Sequence, residues 1–475
     1  MAISLAGNNF LYYLPKSKSS KTVHSKTLGK NGLLEYRKPF SFIDSNFKTI
    51  NQITLRTTGS LPRKHILTGV EIIQAALEGG YGRRDLWTSD LAMNKQEASD
   101  LARYLLSRVA LATSCLLRDK NRALSIKSMY EQIEASEKGA LSFILGGIGS
   151  YVAARLWLRA GGDGLNLFLH AGIYSKAVNK NPAPVKFSPT SKKNPDYLAH
   201  SNNRDWHVFE SKGGAISDRW MRIVQGLAQL DSLPCIHFVG AEFPKSVKTA
   251  VCVHTSVDAN EALTITVVDP PGDNTGTEEI STIELIGSVC KLLLILETVD
   301  QFRALAGTVP DVVRYGDTEW ARTESNIFSE YVFGIPNRYL KSESRIRVRV
   351  GIYLAAEEAY SASMDKQEFL NIFRRKVLRI LRLASNRNIV EVSRTVGFLM
   401  RRVEGFSYEE NLLLNISKVL KMERIAGAVM TYDGESIVSK LRQESGVVFT
   451  SGGMYIGAKS ENGSSSRGQT RQDEP

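Results

Sequence analysis

Cysteine is scarce in this chain, and its spacing excludes several classes of protein. The four cysteines are Cys115, Cys235, Cys252 and Cys290. None forms the Cys-x-x-Cys pair typical of structural zinc sites. Their wide spacing gives no sign of a disulfide framework, so we expect a reducing, cytoplasmic location. The seven histidines show neither His-x-x-x-His nor His-Glu-x-x-His spacing, which excludes the common zinc-hydrolase helix.

Targeting and membrane segments are also missing from the sequence pattern. The N-terminal residues lack the charged-then-apolar order of a signal peptide. No apolar run approaches the roughly 20 residues of a membrane helix, and no membrane partner is expected.

Hydrophobic residues and positive charge are both plentiful. The 475 residues are 43% hydrophobic, enough for a packed core in two or three domains. The formal net charge is +12, and the isoelectric point is about 9.3. A basic balance of this size favours an anionic partner, most often nucleic acid.

Hydrophobic periodicity divides the chain into segments of different character. Between about 131 and 272, mixed strands with helices on both sides indicate an α/β core. The strands predicted there are LNLFLHAGIY (165–174), PDYLAH (195–200), WHVFESK (206–212), PCIHFVGAE (234–242) and ALTITVVDPP (262–271). The predicted divisions are a basic N-terminal segment (1–62), a helical N-terminal region (63–130), the core with a central mixed sheet flanked by helices (131–275), a mainly helical C-terminal region (276–445) and a disordered polar tail (446–475).

A hairpin is predicted within PDYLAHSNNRDWHVFESKGG (195–214). Asn and Asp in SNNRD favour a turn, and a turn centred on its two asparagines pairs the flanking strands antiparallel. Residue 210 then faces residue 195 or 196, which brings Asp196 and Glu210 opposite each other, about 5 Å apart at Cβ. Alternation along the second strand places Glu210 and Lys212 on the same face.

Two facing carboxylates repel each other, so the arrangement costs stability unless a cation lies between them. Mg²⁺ suits such a site, because it takes oxygen ligands and is typically held by one or two carboxylates plus a substrate phosphate. A lysine on the same face can polarise the scissile phosphate or orient a water. The residue types therefore indicate hydrolysis of a phosphodiester by a metal-activated water.

The spacing Pro195-Asp196, thirteen residues, then Glu210-Ser211-Lys212 resembles the signature of the PD-(D/E)xK phosphodiesterase superfamily, the restriction-endonuclease-like fold. The resemblance covers about 130–272, under a third of the chain. It implies that Asp196 and Glu210 bind Mg²⁺ or Mn²⁺ together with the carbonyl of Ser211, and that Lys212 is the catalytic lysine. It also implies a nuclease, with DNA favoured over RNA, and a defence role against foreign DNA would fit the superfamily. The alternative is a surface hairpin that ends in an ordinary Glu-Lys pair.

The same resemblance adds two helical candidates. An acid from the helix before the sheet often joins the site, and Glu137 continues the apolar stripe of 141–156 one turn earlier, toward the core side. A first-turn acid favoured by the helix dipole is the alternative. Relatives often carry a glutamine on the helix after the lysine. Gln225 and Gln229 lie one turn apart there, and Gln225 is assigned to the site; exposed helix glutamines are the alternative.

Arginines alternate in SRIRVRV (344–350). As a strand, this segment would present Arg345, Arg347 and Arg349 on one face, able to contact phosphates. An edge strand kept soluble by its charge is the other interpretation. A second basic stretch lies on the predicted helix 364–386, either as a solvated face or as a face that follows phosphates.

The sequence thus predicts a metal-dependent nuclease. The alternative from another class is an inactive relative of the fold that binds nucleic acid or builds a complex, with copies of itself or with other proteins. A third interpretation is an α/β scaffold whose basic charge serves only solubility.

Overall fold

The computed structural model describes most of the chain between residues 64 and 459. The described ranges are 64–80, 89–118, 124–171, 195–203, 205–231, 249–259, 262–268, 283–384, 389–408, 412–430 and 446–459, together with the strand segments 2–5, 10–11, 22–28, 34–41, 56–57, 185–186, 235–238 and 245–246.

The helices begin where polar side chains can cap them. Thr68 and Glu71 form a reciprocal capping box at the start of the first helix, and the Asn94 side chain accepts from the Glu97 amide at the start of the third. The helices are α1 (Gly69–Ala75, continued by a π-helical turn over Ala76–Gly80), α2 (Ser89–Met93), α3 (Lys95–Ser114), α4 (Ala135–Ala160), α5 (Arg219–Asp231), α6 (Ile283–Leu305), α7 (Asn337–Ala362), α8 (Lys366–Ala384), α9 (Ile389–Glu404), α10 (Leu412–Val419) and α11 (Met422–Met430).

The strands fall into one large mixed sheet and several smaller sheets. They are β1 (Ala2–Leu5), β2 (Phe10–Leu11), β3 (Thr22–Leu28), β4 (Leu34–Ser41), β5 (Arg56–Thr57), β6 (Lys64–Ile66), β7 (Leu116–Arg118), β8 (Leu124–Ile126), β9 (Leu165–His170), β10 (Val185–Lys186), β11 (Tyr197–Ser201), β12 (Trp206–Gly214), β13 (Cys235–Phe238), β14 (Lys245–Ser246), β15 (Thr249–Ser256), β16 (Thr264–Val268), β17 (Asp311–Tyr315), β18 (Thr318–Glu324), β19 (Tyr331–Pro336), β20 (Val448–Phe449) and β21 (Tyr455–Ala458).

The large sheet confirms the mixed α/β class. Its main path runs β5-β2-β16-β15-β12-β11-β9, and β1 and β6 join beside β16. Strand β11 is antiparallel to both of its neighbours, β9 and β12, whereas β12 and β15 are parallel and are connected through α5. A parallel pair needs a crossover of this kind.

The hairpin β11–β12 has the predicted register. Tyr197 pairs with Phe209, and His200 pairs with Trp206. Extended by one residue, the same register places Asp196 opposite Glu210. The prediction that these two residues face each other is therefore confirmed.

Helices cover the two faces of β12. On one face α4 packs so closely that a Cβ on Gly213 would collide with the Ser142 backbone, while Phe209 packs against Phe168. On the other face lies α5, whose Ile223 carbonyl accepts from the Cys252 thiol at 3.7 Å. The acids Asp196 and Glu210 belong to the α5 face.

Helix α4 is the one described helix long and apolar enough to cross a membrane by length and composition, which the sequence reading did not anticipate. In its most apolar window, 83% of the residues are buried inside the protein. Its place between the sheet and α3 is that of a core helix.

The central strand β15 was missed by the sequence analysis. The strand predicted in its place, over 234–242, is described only at β13, which pairs with β10 and β14 outside the large sheet. Six of the eight residues of β15 are buried. A strand covered on both faces loses the in–out alternation that marks a strand in sequence.

The described part of 276–445 is mainly helical, with α6 to α11, but a sheet that the sequence did not predict also forms there and continues into the predicted tail. Strands β17, β18 and β19 form an antiparallel sheet with β21 and β20. Met454, Tyr455 and Ile456 are fully or almost fully buried in it, and Gly453 closes the turn with a φ of 81°. The tail beyond 459 lies outside the described residues.

Candidate active site

Asp196 and Glu210 lie together at the start of β11 and the middle of β12. Asp196 is half-buried, and its Oδ2 accepts a hydrogen bond from the Ser211 amide at 2.9 Å. Glu210 is completely buried, with 0% exposure. Ser211 thus contributes its backbone amide to the pair of acids, while its hydroxyl faces α4 near Gly146.

Lys212 connects the acids to the helix above them. Its ammonium group donates to Glu210 Oε1 and, at 2.8 Å, to Gln229 Oε1. The Lys212 side chain is 19% exposed, so the cluster reaches the surface through this residue. Four side chains from three elements therefore converge: Asp196, Glu210, Lys212 and Gln229.

Burial governs the electrostatics of the cluster. Burial, followed by the charge of Asp196, raises the pKa of Glu210 to about 8. Burial alone would lower the pKa of Lys212, but the Glu210 and Asp196 carboxylates outweigh it, and the net direction is upward. Lys212 therefore stays cationic, and Glu210 is the group whose charge depends on pH near neutrality.

Strand β15 and helix α5 enclose the acids. A Cβ on Gly226 would lie 2.5 Å from Cys252 Sγ and 3.2 Å from the Glu210 side chain, so only glycine lets α5 approach the acids this closely. Burial raises the pKa of Cys252 well above its usual range, and its thiol stays protonated. This cysteine is a packing residue.

His254 is a neighbour that the sequence analysis did not identify. It pairs with Lys212 across the parallel strands and is fully buried. Burial, followed by the charges of Arg219 and Arg222, lowers its pKa to about 3, so its imidazole is neutral. Within the described residues its Nε2 has no hydrogen-bond partner. Its position beside Lys212 could have been predicted only if strand β15 had been recognised in the sequence.

Two helical candidates do not join the cluster. Glu137 is exposed in the first turn of α4, and among the described residues no hydrogen bond or ion pair joins it to Asp196 or Glu210. The prediction that it points to the core side is wrong, because the buried face of α4 begins only at Ser142. Gln225 is exposed, and its neighbour Gln229 contacts Lys212 instead.

The predicted arginine strand is wrong, because residues 344–350 form part of helix α7. Arg347 is buried and pairs with Asp300 and with Glu343, the latter at 2.7 Å. Arg349 donates to the Leu420 carbonyl at 3.0 Å. Arg345 is exposed and is the one member of the three that lies free at the surface. Arg347 therefore lies on a different face of α7 from Arg345 and Arg349, which are one turn apart.

A second group of possible metal ligands lies at the other end of β12. One ligand atom each from Asp163, Asp205 and His207 falls within 4.8 Å of the others. His207 also bonds the Thr249 hydroxyl at 2.8 Å, and Asp163 Oδ1 accepts from the Gly164 and Asn203 amides. No sequence motif indicates this group, because Asp163 is distant in the chain from the hairpin that carries Asp205 and His207.

Comparisons with models of known protein families, with curated proteins and with solved structures each found no match. The geometry of the cluster is therefore the basis for its interpretation.

Proposed function

We propose that this protein is a metal-dependent phosphodiesterase that cleaves nucleic acid. The observation that carries the proposal is the convergence of Asp196, Glu210, Lys212 and Gln229 on one face of the hairpin. Two acids, a lysine bonded to one of them and a helix glutamine match the set expected from the resemblance to the PD-(D/E)xK superfamily.

The fold around the hairpin supports the same proposal. Helix α4, three antiparallel strands, the crossover helix α5 and the parallel strand β15 follow one another along the chain. A central mixed sheet flanked by helices is the core that the resemblance implies. We propose that residues 131–275 form a restriction-endonuclease-like core.

The acids fit a divalent cation. Glu210 Oε2 is buried and has no hydrogen-bond partner among the described residues, and Asp196 lies close enough to raise the pKa of Glu210. A cation between them would satisfy the free oxygen and remove the repulsion. Mg²⁺ or Mn²⁺ bound there would supply charge neutralisation and an activated water.

The protein's own residues have separable roles in this proposal. The Ser211 amide holds the Asp196 carboxylate in place, which fixes one ligand oxygen. Glu210 and Gln229 together orient the Lys212 ammonium group. That cation is placed to contact a phosphate oxygen and stabilise the negative charge that develops during cleavage.

We propose nucleic acid as the substrate because the net charge is +12, with DNA favoured over RNA. Because Arg347 is buried, we assign the phosphate contacts to exposed arginines of α8 instead, namely Arg374, Arg375 and Arg382. A cytoplasmic role in defence against foreign DNA remains a prediction.

The second candidate function is an inactive nuclease fold that binds nucleic acid or assembles with other proteins. One observation favours it. Glu210 has no exposed surface, and the Lys212 ammonium already bonds two side chains of the same chain, Glu210 and Gln229. A lysine whose ammonium group is already hydrogen-bonded within the protein is as consistent with a structural site as with a catalytic one.

Cleavage assays separate the two functions. The protein is incubated with plasmid, linear and single-stranded substrates, with Mg²⁺, with Mn²⁺ and with chelator. We expect metal-dependent cleavage by wild type and its loss in Asp196→Ala and Lys212→Ala. Gln229→Ala should lower the rate, whereas the matched Gln225→Ala, one turn away and exposed, should not. Wild-type rates in either of the first two variants would contradict the proposed site.

Thermal melts test metal binding apart from catalysis. Asp196→Asn retains an acceptor for the Ser211 amide but removes one of the two repelling charges. Without metal it should melt at or above the wild-type temperature, and with millimolar Mg²⁺ or Mn²⁺ it should lose most of the stabilisation that wild type gains. No metal-dependent shift in wild type would favour the inactive relative.

A further inference from the structure

A cavity of about 310 Å³ lies away from the acids, between α4, the loop that enters β9, and the hairpin β20–β21. It shares no lining residue with the cluster around Asp196. Helix α4 packs on the opposite face of the sheet from α5, so the cavity and the acid cluster are separate sites. Its volume is at the lower end of the range found for small-molecule pockets, and it is too small for a polymer.

Two arginines line the cavity. Arg155 and Arg159 lie one turn apart on α4, a spacing that places both side chains on the same face. Like charges at this spacing destabilise a helix. The dipole at the end of α4 favours a cation at Arg159, but it does not explain why a second arginine lines the same space.

Little negative charge opposes these arginines. Among the described residues, Arg155 donates to Gln74 Oε1 at 3.2 Å and forms one long ion pair, 3.7 Å from Glu71. The other carboxylate oxygen of Glu71 already accepts from the Thr68 amide at 2.8 Å. Of the described residues that line the cavity, Asp163 is the one acid, and its Oδ1 accepts from the Gly164 amide at 2.7 Å. The lining therefore carries net positive charge.

The rest of the lining is suited to a flat apolar group. The Tyr151 ring lies beneath the Arg155 guanidinium, 5.9 Å from its centroid, and Phe449 also lines the cavity. The Ser451 hydroxyl accepts from the Phe168 amide at 3.3 Å and also bonds the Glu78 carboxylate, so it is already engaged within the protein. Arginine guanidinium groups bind phosphate through paired hydrogen bonds and also stack on planar rings.

We propose that this cavity binds a small organic phosphate of the mononucleotide class, with the phosphate on Arg155 and Arg159 and the ring system beside Phe449. The site does not depend on cleavage of nucleic acid. Because the walls come from α4 and from the C-terminal hairpin, an occupant stabilises the contact between these two parts of the chain.

Calorimetric titration with adenosine monophosphate tests the proposal, with chelator present so that no metal-dependent reaction occurs. Adenosine and inorganic phosphate are titrated separately. We expect the monophosphate to bind and to raise the melting temperature. Adenosine should bind at least about tenfold more weakly, because it lacks the charged hydrogen bonds. Inorganic phosphate should bind weakly and compete with the nucleotide.

Two variants and a control assign the binding to this cavity. Arg159→Gln changes an exposed residue and should leave the fold intact, while Arg155→Gln changes a half-buried one; each should weaken nucleotide binding by about tenfold to a hundredfold. Arg103→Gln alters an exposed arginine of α3 that does not line the cavity and should bind like wild type. Circular dichroism confirms that each variant is folded. Equal affinity for adenosine, unchanged affinity in folded Arg159→Gln, or no binding of either phosphate would overturn the proposal, and none of these results bears on the acid cluster.

Discussion

Replacing Glu210 by glutamine tests the electrostatics of the acid cluster directly. The amide has the shape of a protonated carboxyl group, and its oxygen can still accept from Lys212. Glutamine at 210 therefore mimics the low-pH form of the site at every pH. The variant differs from wild type only where wild-type Glu210 ionises.

The size of the effect follows from the pKa. Burial and Asp196 raise the pKa of Glu210 from its ordinary 4.5 to about 8. At about 1.4 kcal/mol per pKa unit, this corresponds to about 5 kcal/mol of folding free energy. The folded state binds the proton more tightly than the unfolded state. The free energy of unfolding is therefore highest below the unfolded pKa and falls as pH rises through 4.5 toward 8.

Urea unfolding from pH 5 to pH 8.5, in chelator, measures this loss. Near pH 5 the two proteins should differ by about 1 kcal/mol or less. At pH 8.5 Glu210→Gln should be more stable than wild type by up to about 5 kcal/mol. Glu78 is a matched control, because burial raises its pKa to about 7 and it titrates in the same window outside the acid cluster. Its contribution cancels in the difference between wild type and Glu210→Gln.

If Glu210→Gln lost stability with rising pH as steeply as wild type, the pKa of Glu210 would not be raised by burial and by Asp196. Glu78→Gln should remove only the part of the pH-dependent stability loss that Glu78 causes, and the part caused by Glu210 should remain. If Glu78→Gln abolished the whole pH dependence instead, the pKa of Glu210 would not be raised. Asp196 and Glu210 would then not repel each other strongly enough to need a cation.

Two further predictions concern packing and ion pairs. Gly226→Ala should destabilise the fold by about 1–3 kcal/mol in urea unfolding, because the added methyl group meets the Cys252 sulfur. Cys252→Ala in the same protein should recover part of that loss, and an additive result would argue against the contact. Arg347→Met removes the buried guanidinium that pairs with Asp300 and Glu343, while Glu343 keeps its pair with Arg303, and should cost about 3–5 kcal/mol. The exposed Arg345→Ala should change stability by less than about 0.5 kcal/mol, and equal effects of the two would show that the buried network is not what holds α7 in place.

The hairpin could be predicted because its information is local. Turn residues in SNNRD and alternation in the following strand determine which residues face each other, and the pairing of Tyr197 with Phe209 has that register. The choice between Gln225 and Gln229 could not be made in the same way. Both lie on one helix, and only the rotation of α5 about its axis, set by the contact of Gly226 with β15, decides which glutamine reaches Lys212.

The arginine segment shows how a local pattern can mislead. Six alternating residues fit a strand, but Ile346, Val350 and Tyr353 are buried at helical spacing within the longer α7. The polar side chain of Arg347 is stabilised inside the protein by Asp300, which lies on another helix and 47 positions earlier in the chain. Sequence periodicity cannot predict an ion-pair partner on a different helix.

The pairing of β1 with β16 has a consequence for how the chain folds as it is synthesised. Ser4 and Leu5 pair with Thr264 and Ile265, so the first strand cannot join the large sheet until more than half of the chain has left the ribosome. The C-terminal hairpin adds a later requirement, because the Gln74 side chain donates to the Phe449 carbonyl. Contacts of such sequence separation slow folding. We therefore expect nascent chains released before residue 450 to lack the native packing of α1, and to be the forms that chaperones and proteases encounter.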